Sequence, residues 1–174
     1  MSGPATSAAA PSVVPGSLTR AADAAPLFGR YPQYQAGLRW LAEFVTRPHP
    51  DLGRPGAVCP RLAPALRADT VWMVAVTVPT FTVPAFTGGD AVGAGRLLMR
   101  VFEDVAAGPQ RAMTALLGFF PNLPAEHAAD FIDGGHRLLR AEFVEHGLML
   151  GEFHAGSTVG GVHNRALPVM RCPA

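Results

Sequence analysis

The sequence predicts an α+β or α/β fold, in which a small mixed sheet of three or more strands packs against three helices. Two observations support this prediction. Apolar residues recur at helical spacing in three segments, and these segments alternate with short apolar runs that are typical of strands. The composition also fits one folded domain, because 49% of the 174 residues are apolar and only 16% are charged.

The first 28 residues are predicted to form a disordered tail. They are mostly Ala, Ser, Pro and Gly, with few large apolar groups. Such a segment buries too little surface to offset the entropy lost on ordering. We therefore expect a single globular domain over residues 29–174.

The first half of that domain is predicted to hold one helix, a long loop and one strand. Apolar residues at helical spacing between Leu38 and Val45 predict the helix, which should end before Pro48. Residues 47–64 contain too many Pro and Gly for regular structure. Residues 70–78, TVWMVAVTV, are apolar and β-branched, as in a strand covered on both faces.

The second half continues the alternation of helix and strand. An apolar stripe predicts a helix over residues 90–107, although two early glycines weaken its first turns. Residues 114–121 are the second strand candidate, and a long helix follows over residues 124–146. The run GLMLGEF, residues 147–153, is predicted to be the third strand.

Charge and hydropathy exclude several partner classes. A net charge of +1 gives no electrostatic attraction to nucleic acid or to an anionic membrane. The most apolar window, residues 71–86, is interrupted by Pro79 and Pro84 and is too short to span a bilayer. The N-terminus also lacks the features of a signal peptide. We therefore expect a cytoplasmic protein that binds neither nucleic acid nor membrane.

The last predicted helix carries two titratable residues on its apolar side. Glu142 and His146 fall near the middle of the apolar arc, four residues apart, where they can touch. Burying such groups is costly unless they are paired or face a polar cavity. Two interpretations stay open: both line a substrate pocket, or the helix ends early and leaves His146 in a frayed turn. Asp133 falls on the opposite, solvent-facing side, and we expect His136 to be a surface histidine.

The stretch GEFHAGSTVGGVHN, residues 151–164, follows the third predicted strand. Period-two alternation places Glu152 and His154 on one side of the strand end, a common position for sites in α/β proteins. The glycines that follow allow His163 and Asn164 to return to the same place. Imidazole serves as acid, base or metal ligand near neutral pH. Glu152, His154 and His163 are therefore the candidate catalytic residues, and the two histidines are also candidate metal ligands.

Two cysteines, Cys59 and Cys172, are each followed by proline in the sequence. A Cys-Pro turn can present a thiolate, which is an axial ligand of haem iron. This makes Cys59 a further candidate metal ligand. The alternative is a buried structural thiol, mostly reduced in the cytoplasm.

Three motifs resemble an uncharacterised bacterial family known as a domain of unknown function. They are HPDLGRPGAVCP at residues 49–60, HGLMLGEFH at residues 146–154 and VHNRALPVMR at residues 162–171. The likeness covers residues 37–172, and the family is common in actinobacteria, often in natural-product gene neighbourhoods. It implies no established reaction. Its polar motif positions correspond here to His49, Arg54, Cys59, Glu152, His154, His163, Asn164 and Arg171.

The chain departs from the family pattern at three places. Arg61 stands where an aromatic residue follows the Cys-Pro, and Cys172 stands where a serine is usual. Family members also continue with another apolar strand, whereas this sequence stops at Ala174. We expect the missing strand to leave a sheet edge open for a homo-oligomer, and the C-terminal truncation puts activity in doubt.

Two functions remain open at this point. One is a haem- or iron-dependent tailoring oxygenase that acts on a small metabolite in secondary metabolism. It is supported by a fold-level likeness to haem-dependent N-oxygenases. The other is a non-catalytic domain that binds a ligand or a partner. In the oxygenase, Arg54 or Arg171 would hold a substrate carboxylate. The full set of candidate substrate-binding residues is Arg54, Asn164, Arg171, Glu142 and His146.

Overall fold

The computed structural model describes residues 10–79 and 88–172, and a four-stranded mixed sheet lies at its centre. The strands are β1 (Ser12–Val13), β2 (Thr19–Arg20), β3 (Val71–Thr77) and β4 (Ala115–Phe119). β3 pairs antiparallel with β1 and β2, and parallel with β4. The prediction of a mixed α+β fold with a small sheet is therefore confirmed.

β3 is central because its side chains are apolar on both faces. Met73 and Ala75 are fully buried against Tyr31 and Tyr34. Val74 and Val76, which alternate with them, are also fully buried. A strand covered on both faces needs such a continuous apolar run, which is why the sequence pattern predicted this strand correctly.

Residues 10–28, expected to lie in a disordered tail, belong to the fold. β1 and β2 pair with β3, and the fully buried Ser17 lies between them. The Ser17 hydroxyl donates to the carbonyl of Ala75 at 3.2 Å and accepts from the N–H of Ala75 at 3.1 Å. Backbone and hydroxyl hydrogen bonds therefore order this segment, and they leave no hydrophobic signal in the sequence. Residues 1–9 of the predicted tail lie outside the described residues.

Four α-helices surround the sheet, and two of them begin or continue with a π-helical turn. They are α1 (Pro32–Trp40), α2 (Leu62–Arg67), α3 (Gly88–Val105) and α4 (Gly134–Glu145). A π-helical turn over Leu41–Val45 extends α1, and another over Ala129–Asp133 precedes α4. α3 packs on α4 through Met99, Leu139 and Phe143. None of these helices, within the part of the chain that is described, has the length and apolarity of a transmembrane span.

The third predicted strand, residues 147–153, is not a strand. α4 ends at Glu145, and Gly147 turns the chain with a left-handed φ of 69°. Leu148 and Leu150 then pack on the cluster between α3 and α4 rather than on the sheet. Alternating apolar residues indicate one buried face, and here the buried face lies on helices. Self-association through a sheet edge stays a prediction.

Candidate functional site

Two histidine–carboxylate pairs join the start of α4 to the segment that follows the helix. The Nε2 of His136 lies 3.0 Å from the Oε2 of Glu152, and the Nε2 of His154 lies 3.1 Å from the Oδ1 of Asp133. Glu152 is 8% exposed and His154 is 7% exposed. Asp133 and His136 are three residues apart on one helical face, and their partners alternate along the extended segment. The two pairs therefore lie side by side.

The hydrogen-bond partners fix which nitrogen of each imidazole carries a proton. His154 meets both carboxylate oxygens of Asp133, at 3.1 and 3.2 Å, and these oxygens only accept. His136 meets the oxygen of Glu152 and also the carbonyl of Leu150 at 3.1 Å. In both residues Nε2 must donate, so Nδ1 is the nitrogen left over. For His154, Nδ1 has no hydrogen-bond partner within residues 10–79 and 88–172.

The C-terminal segment folds back beside the His154–Asp133 pair. His154 and Arg171 form a parallel backbone bridge, and the N–H of Ser157 donates to the carbonyl of His154 at 3.1 Å. The Nε of Arg171 donates to the carbonyl of Ser157 at 3.2 Å. Because Ser157 is almost completely buried, this contact ties the guanidinium to a fixed point of the backbone.

An open cleft of about 310 Å³ lies next to this segment. It is lined by Trp40, Phe44, Leu167, Pro168 and Arg171. The rings of Trp40 and Phe44 stack on each other, 23° from parallel with centroids 6.3 Å apart, and Trp40 is 8% exposed. Phe153, between the two paired residues Glu152 and His154, meets Trp40 edge-on with centroids 5.0 Å apart. The segment around Phe153 therefore supports both the histidine–carboxylate pairs and the cleft.

Glu142 and His146 do not form the pocket expected on the last helix. Arg96 of α3 donates two hydrogen bonds of 2.9 Å to the Glu142 carboxylate. These bonds hold the pKa of Glu142 below its usual value, and the charge of His146 lowers it slightly further. His146 is exposed and caps the C-terminus of α4. Of the two interpretations, the helix that ends early agrees with the structure.

Asp133, expected on the solvent side, instead bonds with His154. A rotation of about 100° per residue, starting from Glu126, places Asp133 on the solvent-facing side of a continuous α-helix. The π-helical turn over Ala129–Asp133 changes this rotation, because its i→i+5 hydrogen bonds accommodate extra residues per turn. Residues on the two sides of the turn therefore face directions that a continuous helix does not predict.

Three candidate residues lie at the long loop before α2 and not at the histidine–carboxylate pairs. They are His163, Asn164 and Arg54. The backbone and Cβ of His163 lie beside Gly53, and its side chain is exposed. Asn164 donates to the carbonyl of Asp51 at 2.6 Å. Arg54 donates to the carbonyl of Val58 at 2.9 Å and so braces its own loop. These contacts attach the C-terminal segment to the loop.

The proposed metal donors His154, His163 and Cys59 stand in three different surroundings. His154 is bonded to Asp133, and His163 is exposed. Cys59 and Cys172 are free thiols at the edge of the apolar cluster of Trp40, Leu41 and Val45. Burial raises the pKa of the Cys172 thiol, which disfavours the thiolate that a metal binds. Among the described residues, no three His, Cys, Asp or Glu are grouped as ligands. This donor set does not fit haem or iron, and we derive no step through either.

The sequence analysis missed several residues of the site. Asp133 and His136 carry a usable signal, because an acid and an imidazole three residues apart share a helical face. Trp40 and Phe44 are four residues apart, so they share a helical face and their rings stack. Leu167 and Pro168 carry no comparable signal, since only the backfolding of the C-terminal segment brings them to the cleft.

Neither a search of the curated proteins nor a search of the solved structures finds a match to this chain. A family model described as a domain of unknown function, DUF6875, matches residues 34–174. The match extends over most of the chain and confirms the resemblance to a domain-of-unknown-function family. The chain therefore belongs to the DUF6875 family.

Proposed function

We propose that this DUF6875 domain binds a small molecule with a planar apolar body in the cleft beside Trp40. The observation that carries the proposal is that the aromatic side chains of Trp40 and Phe44 line a cleft that Leu167 and Pro168 also line. Its volume of about 310 Å³ lies at the lower end of small-molecule sites. Aromatic side chains that line a cleft favour stacking with planar groups of a ligand.

The histidine–carboxylate pairs support the proposal, because they hold the cleft in place before a ligand arrives. Three of the five lining residues belong to the C-terminal segment, which has little regular structure. Glu152 and His154 attach the beginning of that segment to α4. A preformed cleft avoids part of the ordering cost of binding. Glu152 and His154 are positioning residues in this proposal.

Titration with 2-naphthylacetamide, a neutral planar probe, tests the proposal. The chain has two tryptophans, so a ¹H–¹⁵N spectrum contains two indole signals. We expect the Trp40 signal to move on binding while the Trp72 signal, which serves as the internal control, stays in place. Phe44→Ala should weaken binding about three- to tenfold, as the loss of one aromatic contact implies.

Phe102→Ala is the matched control. Phe102 is also half-buried, but it lies on α3 and its ring packs against the guanidinium of Arg111. It should bind the probe as the wild type does. An unmoved Trp40 signal at millimolar probe, or equal weakening by both phenylalanine variants, would overturn the proposal.

Proton transfer at His154 is a second candidate function. The observation in its favour is that Asp133 holds the Nε2–H of His154 and leaves Nδ1 without a partner among the described residues. An imidazole oriented by a carboxylate, with its second nitrogen free of protein partners, is the usual arrangement of a general base. The fold-level likeness to haem-dependent N-oxygenases suggests a tailoring oxygenase of secondary metabolism, but the donor set does not fit haem or iron. Proton transfer is the enzymatic alternative that needs only side chains of this chain.

Hydrogen–deuterium exchange of 1-indanone in D₂O tests the second function. His154 Nδ1 would take a proton from the α-carbon, the C–H electron pair would pass to the enolate, and a solvent deuteron would return to carbon. His154→Gln should reduce exchange to the uncatalysed rate, while its amide N–H still donates to Asp133. His163→Gln, which changes the exposed histidine, should exchange at the wild-type rate. Equal rates for the wild type and His154→Gln would contradict proton transfer.

A further inference from the structure

We propose that the ligand of the cleft is a monocarboxylate whose carboxylate group is bound by Arg171. This inference rests on the proposed binding function of the cleft. The apolar wall accounts for the body of a ligand, and Arg171 is the charged residue among the lining side chains. The chemistry of the cleft therefore fits a small planar molecule with one negative group at its edge.

Arg171 is oriented as an anion-binding side chain. Its Nε donates to the carbonyl of Ser157, and its own N–H donates to the carbonyl of Pro168 at 3.2 Å. The two Nη groups have no hydrogen-bond or ion-pair partner in the described ranges 10–79 and 88–172. A planar guanidinium with both Nη groups free matches the two oxygens of a carboxylate.

Other arginines of the chain show what a structural guanidinium looks like here. Arg20, Arg96 and Arg111 each pair with a carboxylate of the protein. Arg171 instead lines the apolar cleft and has no carboxylate partner among the described residues, so its charge is available to an anion there. Arg165 is exposed like Arg171 but does not line the cleft, so the place of Arg171 beside the apolar side chains distinguishes the two.

The matched ligands 2-naphthylacetate and 2-naphthylacetamide separate the charge from the planar body. Isothermal titration calorimetry of the wild-type protein in low salt should find the carboxylate bound about tenfold more tightly than the amide, because hydrogen bonds to a charged group are the stronger ones. The preference should shrink at 0.5 M NaCl as screening increases.

Variants of Arg171 then assign the preference to a residue. Arg171→Gln should abolish the preference, so that the carboxylate and the amide bind this variant with equal affinity. Arg171→Lys should keep part of it, since the charge remains but the two-pronged geometry is lost. Arg165→Gln is the control from the same segment and should keep the full preference. Thermal unfolding of each variant checks that the fold is intact.

The possible results distinguish this inference from the proposed function. Equal affinities of the two ligands for the wild type would overturn the carboxylate assignment and leave cleft binding in place. Failure of both ligands to bind would overturn the binding function itself. An equal loss of preference in Arg165→Gln and Arg171→Gln would show a general charge effect and overturn the role of Arg171.

Discussion

His154 donates its Nε2 proton to Asp133, at 3.1 Å from Oδ1 and 3.2 Å from Oδ2, across 21 residues of sequence. The bond attaches a segment with little regular structure to the beginning of α4. Together with the bond between His136 and Glu152, it holds this segment in place through side chains, where strand pairing would use backbone hydrogen bonds. The geometry of the cleft therefore depends on side chains that do not line it.

Removing the Asp133 carboxylate tests how much this bond stabilises the fold. Asp133→Ala leaves the buried Nε2–H of His154 without an acceptor, which should cost about 1–3 kcal/mol of unfolding free energy. Urea denaturation measures the loss. Asp130→Ala, which removes an exposed acid one turn earlier, should change the stability by less than about 0.5 kcal/mol. Equal stabilities of the two variants would show that the bond contributes nothing.

The glycines of α3 give opposite expectations for the same substitution. A Cβ at Gly95 would collide with the Cδ1 of Leu139, a buried residue of the cluster between α3 and α4. Gly95→Ala should therefore destabilise the protein by about 1–3 kcal/mol through overpacking, more than the helix propensity that alanine gains. Among the described residues, a Cβ at Gly93 would meet Pro11, at 3.6 Å.

Gly93→Ala is thus the matched control. It should leave the melting temperature unchanged or raise it, because the contact is an ordinary one and alanine favours the helix. The measurement is thermal unfolding of both variants. A stable Gly95→Ala variant would show that α3 and α4 pack less closely than the structure has them.

The central strand and the main helices were predictable because their apolar patterns are local. β3 is buried on both faces, and its sequence contains hardly any polar residue. α3 carries an apolar stripe along one face, which packs on α4. In these elements the apolar residues are the buried ones, so their spacing in the sequence is enough to identify the elements.

The N-terminal strands and the histidine–carboxylate pairs depend on contacts between distant residues. Ser17 is ordered by Ala75, which lies 58 residues later in the sequence. The sequence identifies Glu152 and His154 as site residues, but their partner Asp133 ends a π-helical turn and His136 follows it. A helical wheel cannot anticipate that turn, since no proline or other local signal marks it.

The Arg96–Glu142 pair should make stability depend on acidity in a defined direction. Hydrogen bonds from Arg96 depress the folded-state pKa of Glu142 below its ordinary value of 4.5. The contribution of the pair is therefore present above about pH 4.5 and is lost as the pH falls through the folded-state pKa. Wild type should be more stable than Glu142→Gln near pH 7, and the difference should shrink below pH 4.5.

Urea denaturation of both proteins between pH 3 and pH 7 measures this difference. Glu145→Gln removes an exposed acid from the end of the same helix and controls for the change in net charge. A difference between wild type and Glu142→Gln that stays constant over this range would contradict the ion pair.

Tyr34 and Tyr31 stack with their ring centroids 5.1 Å apart, yet their hydroxyl groups differ. The Tyr34 hydroxyl donates to the carbonyl of Ser17 at 2.9 Å, and burial raises its pKa to about 12. The buried Tyr31 hydroxyl has no partner among the residues that the structure describes. Tyr34→Phe should therefore cost about 1 kcal/mol of stability at pH 7, whereas Tyr31→Phe should be neutral or stabilising.

Alkaline pH separates the two tyrosines further. An unfolded tyrosine ionises near pH 10, whereas folded Tyr34 stays neutral until about pH 12. The stability that comes from neutral Tyr34 is therefore complete below pH 10 and is lost as the pH rises from 10 to 12. The advantage of wild type over Tyr34→Phe should shrink across that window, as urea denaturation at successive pH values would measure. A wild-type advantage that stays constant up to pH 12 would contradict the burial of Tyr34 against Ser17, and with it the place of residues 10–28 in the fold.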